Sequence, residues 1–285
     1  MTLDGLLVVD KPQGVTSRAV VDRALNWFPR KTKLGHTGTL DPLATGVLVL
    51  CVGRATRLVE YVQRMGKAYR SIFTLGTTST TDDADGTLTT LSEYDPGEEA
   101  VRAGLAKLVG TLQQVPPAFS AAHVSGRRAY DLARRGREVQ LEARPVQVHG
   151  ITLVRYAYPE VEVHVECGKG TYIRSLARDL GTALGTGAYV SMLRRVRVGP
   201  FTPEQATPLD APSPTLLPTA LALAELPRAD MATEDRLRLR QGQAVAVVGD
   251  DADEAALWCG DELAAIGRIV AGRFFPDKVL LAGES

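Results

Sequence analysis

The sequence predicts an α+β protein: a mixed, largely antiparallel sheet packed with helices, then a small β-rich C-terminal unit. Three observations carry this. Val161, Val163, Val165 and Cys167 alternate with Glu162, His164 and Glu166, the period-two pattern of a half-buried antiparallel strand. Elsewhere the apolar spacing turns helical, as in Val20, Val21, Ala24, Leu25 and Phe28, or in Leu58, Tyr61, Val62 and Met65. The two patterns never settle into the regular strand–helix–strand rhythm of a parallel sheet.

In chain order, Gly5 to Val9 reads as a short buried strand and Lys11 to Gly14 as a turn. Thr16 or Ser17 offers an N-cap for the first helix. A glycine-rich loop, Gly35 to Gly46, leads into an apolar strand from Val47 to Val52. After the Leu58–Met65 helix, Tyr69 to Leu75 reads as a strand. Thr171, following Gly168 and Gly170, can cap a helix with Ile173, Leu176, Ala177, Leu180 and Leu184 on one face. Residues 203 to 227 hold six of the sixteen prolines and read as a linker or meandering strap, because proline removes donors and stops helices. Beyond it, Ala244 to Val248, Ala264 to Ile269 and Val279 to Leu281 suggest short strands.

At 285 residues the chain suits one large domain, or one domain plus a small appendix, and 45% hydrophobic residues exclude wholesale disorder. Cys51, Cys167 and Cys259 form neither a zinc ribbon nor a disulfide framework, which points to a reducing cytoplasm. The longest apolar runs are too short to span a bilayer, and Asp4 stands where a signal peptide would carry bases. Lys+Arg and Asp+Glu both number 33, a neutral total that argues against a nucleic-acid partner until it is read locally. Asp82 to Glu99 holds seven acids and no base, and Asp250 to Glu262 six acids and no base. The remainder carries 33 bases against 20 acids, gathered at Arg30, Lys31 and Lys33, along Arg127 to Arg144, and at Arg194, Arg195 and Arg197. Such clumping is either a solvated face or a footprint for a phosphate backbone.

The densest chemical signal is GHTGTLDPLATGVL, Gly35 to Leu48. Its glycines let a ligand approach the backbone, and Pro42 biases Asp41 towards an extended conformation that keeps the carboxylate out of any helix. An Asp-Pro pair can simply start a turn. Here it lies between a polar loop and a buried strand, where catalytic groups concentrate. The spacing matches neither a P-loop nor a dinucleotide-binding loop.

This loop closely resembles the second motif of the TruB family of bacterial tRNA pseudouridine synthases, with Asp41 at the catalytic aspartate position. KPQGVTS (Lys11 to Ser17) resembles the first motif. KAYR (Lys67 to Arg70), DDADG (Asp82 to Gly86), the SGRRAYDLARRG stretch, GTYIRSLARDLG (Gly170 to Gly181) and MLRR (Met192 to Arg195) follow in family order across roughly residues 5 to 200.

The resemblance implies isomerisation of uridine 55 in the tRNA T-loop: the N1–C1′ bond breaks, the uracil turns, and C5 joins C1′. No cofactor and no metal are implied. Asp41 would attack C1′ or take a proton from C2′, a role parallel to one carboxylate of a retaining glycosidase. Arg174 would hold that carboxylate ionised by keeping its pKa low, although the residues alone favour a surface pair with Asp179 or a side chain that solvates the helix. Tyr69, which by residue type alone reads as a core aromatic, would stack on the uracil with its hydroxyl near the departing C5 proton. Tyr172 and Leu193 resemble pocket walls, and Ile173 and Leu176 read as core. His36 would fill the gap left by the flipped base, or else make an ordinary loop hydrogen bond. Asp83 matches an aspartate touching the RNA or the active-site network, though Thr80 stands where another acid is expected. Lys11 belongs to the substrate-binding set.

Arg127, Arg128, Arg134 and Arg135 share a helical face around Tyr130, broken by Asp131, and resemble a thumb that grips phosphates of the T-arm. The expected organisation is a catalytic domain over 1–228, with a thumb-like insertion at about 120–145 and the strap at 203–227, then a PUA-like RNA-binding domain over 229–285. IGRIV (Ile266 to Val270) and FPDKVLL (Phe275 to Leu281) carry that last likeness. The expected partner is the tRNA T-arm stem-loop, with no membrane, no obligatory protein partner and a monomeric state. Two rival readings are a synthase acting on another RNA uridine and an RNA-binding tRNA-folding chaperone.

Overall fold

The computed structural model describes residues 4–120, 123–124, 127–128 and 141–281. Among them, a mixed eight-stranded sheet forms the body. Its strands are β1 (Gly5–Lys11), β2 (Leu34–His36), β3 (Thr45–Val52), β4 (Lys67–Leu75), β7 (Gly110–Gln114), β10 (Arg144–Ala157), β11 (Glu160–Cys167) and β12 (Ala188–Val198). The order is β1-β3-β12-β4-β11-β10-β7, with β2 also paired to β3. Every pairing in this sheet is antiparallel except the short contact of β3 with β12.

Two cores lie on opposite faces of the β1–β3 end. Leu7, Val9, Leu48, Leu50 and Val52 pack into one, and Leu6, Val8, Val47, Val49 and Cys51 into the other. Burial on both faces explains why these strands are continuously apolar. At the β4–β11 end only one face is covered. Val161, Val163 and Val165 are buried, while Glu162 and Glu166 on the open face pair with Arg70 and Arg197. That asymmetry is the alternation seen in the sequence.

Helix α1 (Ser17–Ala24) is capped by Thr16, whose hydroxyl oxygen accepts from the Ala19 amide, and a 3-10 turn finishes it. A 3-10 segment, Gly53–Leu58, precedes α2 (Val59–Arg64). Helix α3 (Glu98–Ala106) packs on α4 (Ile173–Leu184), and α4 on β12. Thr171 does not cap α4. Its hydroxyl donates back to the Gly168 and Gln147 carbonyls, and Tyr172 takes the N-cap position without a side-chain cap. A small hairpin, β5 (Thr77–Ser79) with β6 (Leu88–Thr90), carries the DDADG turn.

The proline-rich stretch runs along the free edge of β1. Leu6 and Leu217 exchange backbone hydrogen bonds of 2.9 and 2.7 Å, and the Thr207 amide donates to the Val8 carbonyl at 2.8 Å. It closes an edge that would otherwise present unpaired backbone groups.

The C-terminal sheet has the order β13 (Arg228–Asp230), β15 (Ala252–Cys259), β16 (Glu262–Val270), β17 (Arg273–Val279), β14 (Val245–Ala246), with a short helix α5 (Arg236–Arg240). It has a core of its own around Leu257, Ile269 and Phe274, and it lends Ala256, Leu263 and Ile266 to the core beneath β1 and β3. Arg64 and Glu254 pair across this contact at 2.7 Å.

The expected helix at Arg127 is not formed. Arg127–Arg128 (β9) pairs antiparallel with His123–Val124 (β8), so the backbone bonds across a ribbon rather than along a helix. Tyr130, Asp131, Arg134 and Arg135 lie outside the described residues.

Candidate active site

The Asp41 loop is held by the first motif. Ser17 accepts from the Leu40 amide at 2.8 Å and donates to the Leu40 carbonyl at 3.0 Å. The Gly14 amide donates to the Pro42 carbonyl at 2.8 Å. Lys11 is fully buried, its ammonium donating to the carbonyls of Pro12, Val15 and Pro42 at 3.0, 2.6 and 3.3 Å. This corrects its expected place among substrate contacts: three backbone oxygens occupy the ammonium, which therefore braces the loop from below. Burial lowers the Lys11 pKa to about 8, against the opposing pull of Asp41.

Gly46 shows why glycine ends the loop. Its φ is +101°, and a Cβ there would lie 2.1 Å from the Arg195 carbonyl oxygen. The strand contact that joins the loop to β12 requires that close approach.

Asp41 faces a cavity of about 540 Å³ lined by Tyr69, Gln114, Tyr172, Arg174, Leu193 and Arg195, among others. That volume suits a small ligand or a single nucleotide. Asp41 keeps 34% of its side chain exposed, whereas Arg174 is only 4% exposed. One guanidinium nitrogen, Nη2, lies 3.0 Å from Asp41 Oδ2 and donates to the Phe119 carbonyl at 3.0 Å. The other, Nη1, lies 3.0 Å from Asp83 Oδ2 and donates to the Thr81 carbonyl at 2.8 Å. Asp83 Oδ1 in turn accepts from the Thr81 hydroxyl and the Asp85 amide. The alternative pairing of Arg174 with Asp179 is absent, since Asp179 is paired with Arg178.

The direction of the Asp41 pKa shift departs from expectation. Withdrawal from water pushes its carboxyl above the ordinary aspartate value, and Asp83 adds to the rise; Arg174 and Lys11 pull it back. Arg174 therefore restrains an upward shift rather than producing a low value.

Tyr69 is buried in β4 with its phenol pushed up by burial, an effect that Arg195 opposes. Leu193 and Tyr172 line the cavity. His36 ends β2 one residue before the cavity-lining Thr37. Ile173 and Leu176 are core.

Of the supposed basic footprint at 194–197, each arginine is engaged. Arg194 grips Asp10 at 2.7 Å, and Arg197 grips Glu166 at 2.8 Å. Arg195 turns inward, 2% exposed, donating to the Val47 carbonyl at 2.7 Å and the Gly38 carbonyl at 3.2 Å. Strand period two points to it: Leu193 is a wall of the cavity, and β12 puts Arg195 on the same side. Lys67, two residues before Tyr69 on β4, carries the same signal, whereas Gln114, which also lines the cavity, has none.

The α+β architecture thus places an aspartate–arginine pair in a cavity walled by Tyr69 and Tyr172. The same architecture occurs in the "Crystal Structure of a Cbf5-Nop10-Gar1 Complex" (TM-score 0.73, 25% identity, 97% of this chain and 84% of that one). It also occurs in the "Structure of H/ACA RNP bound to a substrate RNA containing 2'-deoxyuridine" (TM-score 0.73, 24% identity, 98% and 85%). Residues 26–173 match the TruB family pseudouridylate synthase N-terminal domain, and residues 174–211 the tRNA pseudouridylate synthase B C-terminal domain. The chain belongs to the TruB family of pseudouridylate synthases. Proteins named tRNA pseudouridine synthase B are similar along almost the whole length: 41% identity in Cereibacter sphaeroides (97% of this chain, 96% of the relative) and 40% in Dinoroseobacter shibae (99% and 96%).

Proposed function

We infer that the protein isomerises uridine 55 in the T-loop of tRNA to pseudouridine. The observation that carries this is the buried Arg174 holding Asp41 at the mouth of the cavity. Membership of the family and the tRNA pseudouridine synthase B relatives support tRNA as substrate.

In this reading the uridine leaves its stack and enters between Tyr69, Tyr172 and Leu193, with His36 filling the vacated space. The Asp41 carboxylate then attacks C1′ or removes the C2′ proton. Either route breaks N1–C1′ and leaves the uracil confined. The base turns and C5 bonds to C1′, displacing the Asp41 carboxylate on the first route or with Asp41 returning the proton to C2′ on the second. The C5 proton then departs past the Tyr69 hydroxyl and N1 ends protonated, so product and substrate are isomers. Asp83 fixes the far side of Arg174, and Lys11 fixes the loop.

The basic insertion around Arg127 and Arg128 contacts T-arm phosphates, and the catalytic domain meets a PUA-like RNA-binding domain near residue 228. The enzyme works as a cytoplasmic monomer without a protein partner, which sedimentation of the free protein and its RNA complex would check. No helix among the described residues is long and apolar enough to cross a membrane.

The test is chemical mapping of pseudouridine in tRNA and in an isolated T-arm stem-loop incubated with the protein. Conversion at position 55 in both is expected. Product at a different uridine would replace the substrate, and RNA binding without any product would favour a folding chaperone.

A further inference from the structure

We infer that Gln114 is a positioning residue for this reaction, clamping the backbone of Tyr172, the N-cap residue of α4, and so setting where Tyr172 and Arg174 stand. The inference rests on the isomerase reading above. A helix begins with amides that lack intrahelical partners, and an uncapped start is free to fray. Tyr172 occupies the N-cap of α4 in an extended conformation, φ −99° and ψ 111°, with no side-chain cap.

Gln114 holds this residue from outside the helix. Its Oε1 accepts from the Tyr172 amide at 2.8 Å, and its Nε2 donates to the Tyr172 carbonyl at 3.1 Å. The two bonds imitate a pair of ladder bonds from a neighbouring strand, so they fix the peptide planes on both sides of Tyr172. The side chain is 2% exposed at the end of β7, and although it lines the cavity, both ends of its amide are spent on backbone.

The consequence reaches the reacting atoms in two residues. Tyr172 is a wall of the cavity, and Arg174 lies on the first turn it begins. The chain following Gln114 continues the contact. The Val115 carbonyl accepts from Ser175 at 2.9 Å and from Arg178 at 2.8 Å, and the Phe119 carbonyl accepts from Arg174 at 3.0 Å. Residues 114 to 119 form a rail under the start of α4, and Gln114 is the member that grips it by a side chain.

Two neutral variants test the claim. Gln114→Met keeps length and bulk without the amide, and Gln114→Asn keeps the amide but falls one methylene short. Each is compared with wild type for thermal unfolding, T-arm affinity, single-turnover rate and the pH dependence of that rate. Small misplacements near reacting atoms cost large factors, so a rate loss of about tenfold or more is expected, with affinity within about threefold. The acid limb should also move to higher pH, because a loosened Arg174 restrains Asp41 less. A purely structural role would lower the unfolding temperature and leave the rate of folded protein and its pH limb unmoved. That result, in either variant, overturns the inference. Absence of pseudouridine from wild type would instead remove the isomerase reading itself.

Discussion

Arg174 and Asp83 meet at 3.0 Å with each side chain only 4% exposed, so the cation that restrains Asp41 is itself held from behind. Removing one member of a buried pair leaves the other charge without compensation, at a cost of roughly 3–5 kcal/mol. Asp83→Ala should therefore lose about 3 kcal/mol in urea unfolding, since Arg174 retains Asp41 and two carbonyls. A loss under about 0.5 kcal/mol, the scale of an ordinary surface change, would mean the pair is slack.

Burial raises the Asp41 carboxyl and Arg174 opposes the rise. The reaction uses the ionised form, so the acid limb of kcat/KM should lie above the usual aspartate range. Weakening a positive neighbour raises a carboxyl pKa further, so Arg174→Lys, which loses the planar fork, should move the limb up and lower the plateau. A limb that stays in place or moves down would contradict this.

Gly46→Ala should be among the most damaging small changes in the protein. The residue has φ +101° and the new methyl would sit 2.1 Å from a backbone oxygen of Arg195, which no side-chain rotation can relieve. A loss of more than about 2 kcal/mol is expected in denaturant unfolding, with the Asp41 loop detached from β12.

Tyr69→Phe separates the ring from its hydroxyl. The phenol is pushed up by burial and stays protonated at neutral pH. Turnover should fall by about a hundredfold, the lower range of acid–base contributions, while T-arm affinity is kept. Normal turnover in Tyr69→Phe beside an inactive Tyr69→Ala would reduce the residue to a stacking wall.

Much of this arrangement was legible in the sequence, for identifiable reasons. Alternation along β11 and the apolar runs of β1 and β3 are direct records of which faces are covered, and the Thr16 cap obeys local chemistry. The charges were harder. Asp82 and Asp83 sit in an acid-only window whose partners, Arg178 and Arg174, lie more than ninety positions away, so their neutralisation becomes visible only when α4 packs beside the DDADG turn. Glu254 and Glu262 of the second acidic window likewise meet Arg64 and Arg236. Thr171 misled because an N-cap signal cannot reveal that a distant Gln114 already serves the helix start. Arg195 misled because residue type suggests the surface, whereas strand period and a 2% exposure put it inside.

The most direct test of the account is Asp41→Asn assayed on a T-arm stem-loop, with pseudouridine mapped over long incubation and RNA affinity measured on the same preparation. The substitution preserves shape and removes the charge that both routes require. The account predicts no product and an affinity close to wild type. Appreciable pseudouridine from that variant would contradict it.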